Sequence, residues 1–237
     1  MSGTQTRLDL FQQRPLDRLR YTVTEANLLR HLDPGPQRVL DVAGGNGVEA
    51  VRLAALGHEV TVLDPAGAML YRAIETAEIL DVADKLHVVQ AGALDAPELF
   101  GAQDFDLVLC HNLLHFQDDP GEVLTSVIAP LRPGGLLSVL GPNSDFDPMH
   151  AVVRQLDPSL AVRSLAGEAP VGEIVALLAA LGVEEVVRYG VRCVSDLLAE
   201  VREDPEFLAE LERLELAMSD RMPQLLTARF FHLVARR

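Results

Sequence analysis

Val39-Leu40-Asp41-Val42-Ala43-Gly44-Gly45-Asn46-Gly47-Val48-Glu49-Ala50 reads as an apolar strand that turns through glycine into a helix. Glycine allows positive φ in such a turn and lets a ligand approach the backbone closely. In sheets built this way, ligands bind beyond the carboxyl ends of the strands, where this loop must lie.

Downstream the alternation continues. Strands are expected at Arg38–Val42, Glu59–Leu63, Leu86–Gln90, Phe105–Cys110 and Leu136–Leu140, and helices at Gly47–Leu56, Met69–Leu80 and Pro120–Leu131. Strands alternating with helices of this length imply a parallel sheet covered on both faces, an α/β Rossmann-like fold. Upstream, Thr24 to Leu32 reads as an amphipathic helix ended by Pro34-Gly35-Pro36, since proline cannot continue a helix. Residues 1–36 are therefore expected to form an N-terminal helical arm and 37–237 the main domain, with an insertion at about 143–170 that is helical around Met149–Leu156. Beyond it come a helix at Glu173–Leu181 and a strand at Val183–Val194 with a bulge at Gly190. A long helix follows at Asp196–Met218, interrupted near Pro205, and then a last strand at Ala228–Ala235. The late strands suit an antiparallel edge on a parallel sheet.

Composition narrows the classes. A chain of 237 residues, 49% hydrophobic, can bury a full core without disulfides or metals. Its two cysteines, Cys110 and Cys193, have neither zinc-ligand spacing nor the number for a disulfide framework, which points to a reducing, cytoplasmic setting. No signal-peptide run opens the sequence and no stretch is apolar for about 18 residues, so a soluble protein is expected. The formal net charge is −15 and Lys85 is the only lysine, so the chain as a whole repels phosphate backbones. A local arginine patch can coexist with that.

Two acids flank the loop. Gly45-x-Gly47-x-x-Ala50 also satisfies the dinucleotide pattern, so a nicotinamide oxidoreductase is an alternative to be answered. Asp41 argues against it, because a carboxylate at the strand end opposes a pyrophosphate and suits a cationic ligand. Asp64, about twenty residues on, can accept hydrogen bonds from ribose hydroxyls in either case. Each acid also has a plain structural use: Asp41 can cap a turn, and Asp64-Pro65 can start a helix.

The pieces VLDVAGGNG, VTVLDPAGAML, AGALDAP, FDLVLCHNLLHF and LRPGGLLSV together resemble the class I S-adenosylmethionine-dependent methyltransferases over Arg38 to Leu140. The resemblance implies a seven-stranded sheet with an antiparallel last strand, and S-adenosylmethionine as cofactor. It would put Ala43, Gly44 and Gly45 along the methionine portion, Asp64 on the ribose, Met69 near the adenine, Ala93 and Leu94 beside it, and His111 next to the transferred methyl. Gly47 closes the turn. A narrower similarity, to bacterial tRNA 5-carboxymethoxyuridine methyltransferases, rests on Leu19-Arg20, the AGGxG loop, His111, Gly190-Val191-Arg192 and Ala228-Arg229-Phe230-Phe231-His232. It implies that Arg20 clamps the cofactor carboxylate, a role that suits a guanidinium. Those enzymes carry a lysine-rich stretch where this chain has acidic, lysine-free Asp145 to Glu173, and Phe116 stands where they have tryptophan.

The acceptor is less determined. His111, His115 and Arg192 are the candidates for work on it: His115 as a base, Arg192 as a partner for an anion or simply for a surface acid. On a helix His111 and His115 would share a face, though no metal is expected. A tRNA acceptor requires Arg18, Arg20, Arg192 and Arg229 to form one continuous face, and scattered arginines favour a small molecule; Arg14, Arg18 and Arg20 read either as a basic arm or as a solvated N-terminus. Leu197, Val201, Leu208, Leu211 and Leu214 form a stripe that suits core packing or a homodimer contact, so monomer and homodimer both stay open. A cofactor-binding protein without catalysis is the other class left standing.

Overall fold

The computed structural model describes residues 15–101, 104–164, 170–198 and 200–237. The start of the expected arm, with Arg14, and residues 165–169 of the expected insertion lie outside these. The order of elements is α1 (Pro15–Leu29), β1 (Arg38–Val42), α2 (Val48–Ala55), β2 (Glu59–Leu63), α3 (Gly67–Ile79), β3 (Leu86–Val89), α4 (Ala96–Phe100) and β4 (Phe105–His111). There follow α5 (Pro120–Ile128), β5 (Leu131–Pro142), α6 (Asp147–Gln155), α7 (Pro158–Ser164), α8 (Pro170–Ala180), β6 (Glu184–Val191), α9 (Pro205–Met218), α10 (Gln224–Thr227) and β7 (Phe230–Arg236).

Seven strands form one sheet in the order β3-β2-β1-β4-β5-β7-β6. The first five are parallel, and β7 runs antiparallel to both β5 and β6, between which it lies. The order reverses at β1, so β1 and β4 diverge at their carboxyl ends and leave the crevice where α/β proteins bind ligands.

Side-chain alternation explains the layers. Along β4, Val108 and Cys110 join the core cluster that includes Val123, Leu124 and Ile174 of α5 and α8, while Leu107 and Leu109 join the one that includes Val51, Leu53 and Leu70 of α2 and α3. Asp41 alternates with Leu40 and Val42, so it points to the second face, as does His111 after Cys110. Helix α1 is packed on this face, with Leu28 in its cluster and Val23 against Leu140 and Val191.

Four expectations need correction. Helix α1 begins at Pro15, well before Thr24, because its buried face already includes Leu19. The irregularity in β6 falls between Glu184 and Val187, with Gly190 in regular register opposite Phe231; that glycine instead admits Ala228, whose Cβ lies 2.7 Å from where a side chain on Gly190 would begin. Pro205 starts α9: Asp204 caps it by accepting from the Phe207 N–H at 2.9 Å, with Pro205 in the first turn, where its missing N–H costs nothing. The expected leucine stripe is broken accordingly. Leu208 and Leu211 are buried, Leu214 is exposed, and Leu197 belongs to a separate short turn. Among the described residues no helix is long and apolar enough to cross a membrane.

Candidate functional site

The loop after β1 is held from three sides. Ala43 (φ 56°), Gly45 (φ 56°) and Gly47 (φ 67°) all take left-handed backbone, and the Gly47 N–H closes the turn on the Gly44 carbonyl at 2.9 Å. A Cβ on Gly44 would stand 2.5 Å from Asp41 Oδ2, and one on Gly47 would stand 2.7 Å from Ala73 Cβ. These are glycines because neighbouring atoms already occupy the space. Asp64, buried at the end of β2, accepts the Gly45 N–H at 2.9 Å on one oxygen and the Ala66 N–H at 2.8 Å on the other. Each oxygen keeps a lone pair for a further donor. The Met69 methyl lies 3.8 Å from the Cβ position of Gly45, and Ala93-Leu94-Asp95 forms a short turn after β3, with Asp95 accepting the Gly92 N–H at 2.8 Å. Asp64, Met69, Ala93 and Leu94 thus collect at the carboxyl ends of β2 and β3.

Asp41 is enclosed by protein. It is 1% exposed and neither carboxylate oxygen has a hydrogen-bond partner among the described residues. Burial first, then the charges of Glu49 and Asp64, hold its carboxyl well above the usual carboxylate range. It lies directly beneath Gly44.

His111 ends β4 beside the start of the loop, since the preceding Cys110 is in register with Val42. Both its ring nitrogens are engaged: Nδ1 lies 2.9 Å from Glu49 Oε1 and Nε2 2.8 Å from Ser138 Oγ, which is in turn 2.8 Å from His232 Nε2. Burial, followed by His111 and His31, pushes His232 well below the usual histidine range, so it is neutral and carries one N–H. His232 Nδ1 is buried without a partner. A buried orphan donor is rarer than an orphan lone pair, which puts the proton on Nε2. The hydrogen-bonded chain thus runs from Glu49 through His111 and Ser138 to His232. His111 has no free nitrogen with which to serve as a base. Ser138 and His232 each interrupt an apolar strand, which was the available signal for this network; Glu49, on the first turn of α2, gave none.

Arg20 lies on α1 with its guanidinium 4.2 Å from the centre of the Tyr21 ring, and its charge reaches Glu49. His115 sits in the turn Leu114–Phe116, not on a helix with His111, so the two do not share a face; no cluster of three metal-ligating side chains exists among the described residues. Arg192 lies just past β6 at φ 60°, not within the strand, and is bound by both oxygens of Asp196, with Asp17 3.9 Å away.

Beyond the ends of β4 and β5 opens a pocket of about 440 Å³. Leu114, Ile174, Leu177 and Phe231 give it apolar walls, and His115, Asp147, Glu173 and Arg229 its polar groups. Arg229 pairs with Asp147 at 3.2 Å and stacks near Phe146 and Phe230. Arg192 does not line this pocket. Three of the four arginines expected to form one face stand beside acids: Asp196 and Asp17 at Arg192, Asp147 at Arg229, and Glu25, Glu203 and Glu212 in the groove that Arg18 lines.

The chain is similar to known methyltransferases. Residues 39–135 match the family described as "Methyltransferase domain". The chain is 31% identical over 219 residues to the tRNA 5-carboxymethoxyuridine methyltransferase of Escherichia coli K12, covering 89% of this chain and 84% of that one. Among solved structures, it is similar to a SAM-dependent methyltransferase of Thermotoga maritima (17% identity, TM-score 0.63, 93% of this chain and 90% of that one). It is also similar to geranyl diphosphate C-methyltransferase of Streptomyces coelicolor A3(2) (15% identity, TM-score 0.62, 94% and 80%).

Proposed function

Since the chain belongs to the S-adenosylmethionine-dependent methyltransferases, we propose that it methylates a carboxylate oxygen of an acceptor seated in the 440 Å³ pocket. Family membership also answers the nicotinamide alternative. The cradle around the loop fits this cofactor. Gly45, whose Cβ position meets nothing nearer than the Met69 methyl at 3.8 Å, allows a close backbone approach, Asp64 keeps acceptor capacity for a diol, and Arg20 stands on α1 for a carboxylate. When bound, S-adenosylmethionine supplies a methyl group on a cationic sulfur.

The observation that carries the acceptor reading is Arg229. Among the described residues it is the only arginine on the pocket wall, it stands beside apolar residues, and its ionic partner is the half-exposed Asp147. A guanidinium in that position can hold a carboxylate. A carboxylate acceptor is already an anion and needs no base, which suits a site where His111 is fully engaged and His115 stands on an exposed turn. The work left to the protein is to align the acceptor and exclude water, and Leu114, Ile174, Leu177 and Phe231 do the latter. The name of the E. coli relative supplies the first acceptor to try, since a 5-carboxymethoxyuridine carries such a carboxylate. A small-molecule carboxylate is the second, favoured by the acids that stand next to Arg192 and Arg229. Both cysteines are buried, and burial pushes each thiol up to about 12, so they are inert and fit a reducing, cytoplasmic setting.

Formation of S-adenosylhomocysteine should be measured with tRNA bearing the unmethylated carboxylate, with the same tRNA after nuclease digestion, and with a low-mass cell extract. Turnover that needs intact tRNA and falls steeply with salt establishes the RNA acceptor. Turnover with the low-mass fraction alone selects the second reading, and none in any arm refutes both. With the acceptor in hand, Arg229→Ala should lower kcat/KM about 10-fold, chiefly through KM, the loss expected for one charged hydrogen bond. Its affinity for S-adenosylhomocysteine should stay within about twofold.

A further inference from the structure

Of the buried acids behind the glycine loop, one is sealed and one is open. Asp41 has no accessible oxygen and lies directly under Gly44. Glu49 keeps 17% of its side chain exposed and gives only Oε1 to His111 among the described hydrogen bonds. It lines a small cleft together with Tyr21 of α1 and His111. Burial pushes the Glu49 carboxyl up, but His111, Arg20 and Arg52 outweigh it and leave the group below its ordinary value, hence ionised.

Arg20 and Glu49 attract one another, yet they do not form an ion pair within 4.0 Å among the described residues. An anion and a cation set near one another without pairing are what the zwitterionic end of an amino acid requires. The hydrogen-bond chain from His232 through Ser138 and His111 fixes the Glu49 carboxylate from behind, so it need not be ordered when ligand arrives.

We propose that Glu49, rather than Asp41, is the counter-ion for the ammonium group of the cofactor's methionine portion. Ser138 and His232 are positioning residues for it. The inference rests on the cofactor reading and adds a ligand contact that neither the glycine loop nor Asp64 supplies.

The test is calorimetric titration of the full chain with S-adenosylhomocysteine and with its des-amino analogue, in which hydrogen replaces the ammonium. Wild-type protein should bind the analogue about 10-fold more weakly, and Glu49→Gln should bind S-adenosylhomocysteine about 10-fold more weakly while hardly changing for the analogue. The two losses should thus fail to add. Equal loss for both probes would mean that Glu49 acts through Arg20 or the loop, and overturns the proposal; so does no loss at all. Glu49→Asp keeps the charge but withdraws it by one methylene, and serves if the Gln variant does not fold. It should show the same dependence on the ammonium at smaller size. A wild-type chain that binds neither probe defeats the cofactor reading itself, a result distinct from a variant that loses both equally.

Discussion

Asp64→Ala is expected to weaken S-adenosylhomocysteine binding on the order of 100-fold, about 3 kcal/mol. Two losses combine. The Gly45 and Ala66 N–H groups lose charge-assisted hydrogen bonds of 2.9 and 2.8 Å, so the loop after β1 and the entry to α3 are no longer tied to one carboxylate. The ligand loses the acceptor proposed for its ribose. Asp64→Asn should not rescue, because an amide offers one oxygen and turns its NH₂ toward the second backbone donor. Calorimetry reads the affinity directly, and a melting curve without ligand separates the effects. A variant that melts within a few degrees of wild type yet binds 100-fold more weakly has lost a ligand contact. Unchanged affinity would remove Asp64 from the site, and with it the placement of the ribose.

The parallel half of the sheet was legible because its signal is local. Each of β1 to β4 is an apolar run ended by a turn residue or an acid, and the glycines of the loop announce a close backbone approach before any contact is known. Legibility fails where a residue's meaning depends on a neighbour far along the chain. Asp41 reads as a ligand-facing anion until Gly44 is found to lie on its carboxylate, and nothing in its spacing tells the two apart. Arg192 looks like a charge in an apolar strand, but the strand stops at Val191 and the side chain turns to Asp196. Glu49 looks like an ordinary first-turn acid of a helix, a position favoured by the helix dipole. Only the register of β4 against β1 brings His111 to it, 62 residues away. The position of β7 between β5 and β6 is a long-range pairing of the same kind, and it carries Arg229 and Phe231 to the pocket and His232 to the network.

The turn after β6 shows how far such a long-range contact can matter. Glu215, on α9, is 0% exposed, and its carboxylate accepts three backbone N–H groups: Cys193 at 2.5 Å, Val194 at 3.1 Å and Ser195 at 2.8 Å. Glu215→Ala strands all three donors in a space water does not reach, and about 3–5 kcal/mol of stability should go with them. In urea the midpoint should fall at unchanged slope, and in a thermal scan the loss corresponds to about 10 °C for a chain of this size. Glu215→Gln keeps one acceptor oxygen and should lose less. The same turn carries Arg192, whose carbonyl accepts the Arg229 N–H at 3.0 Å, so the damage has a direction. It runs along β7 toward the acceptor pocket and away from the glycine loop, which is tied instead to β2 through Asp64 and to β4 through His111. Glu215→Ala protein that is still folded, at low temperature, should therefore bind S-adenosylhomocysteine nearly as wild type does while its KM for the acceptor rises. Losing both in equal measure would show that the sheet transmits the disturbance as one body, and that the two halves of the site are not held independently.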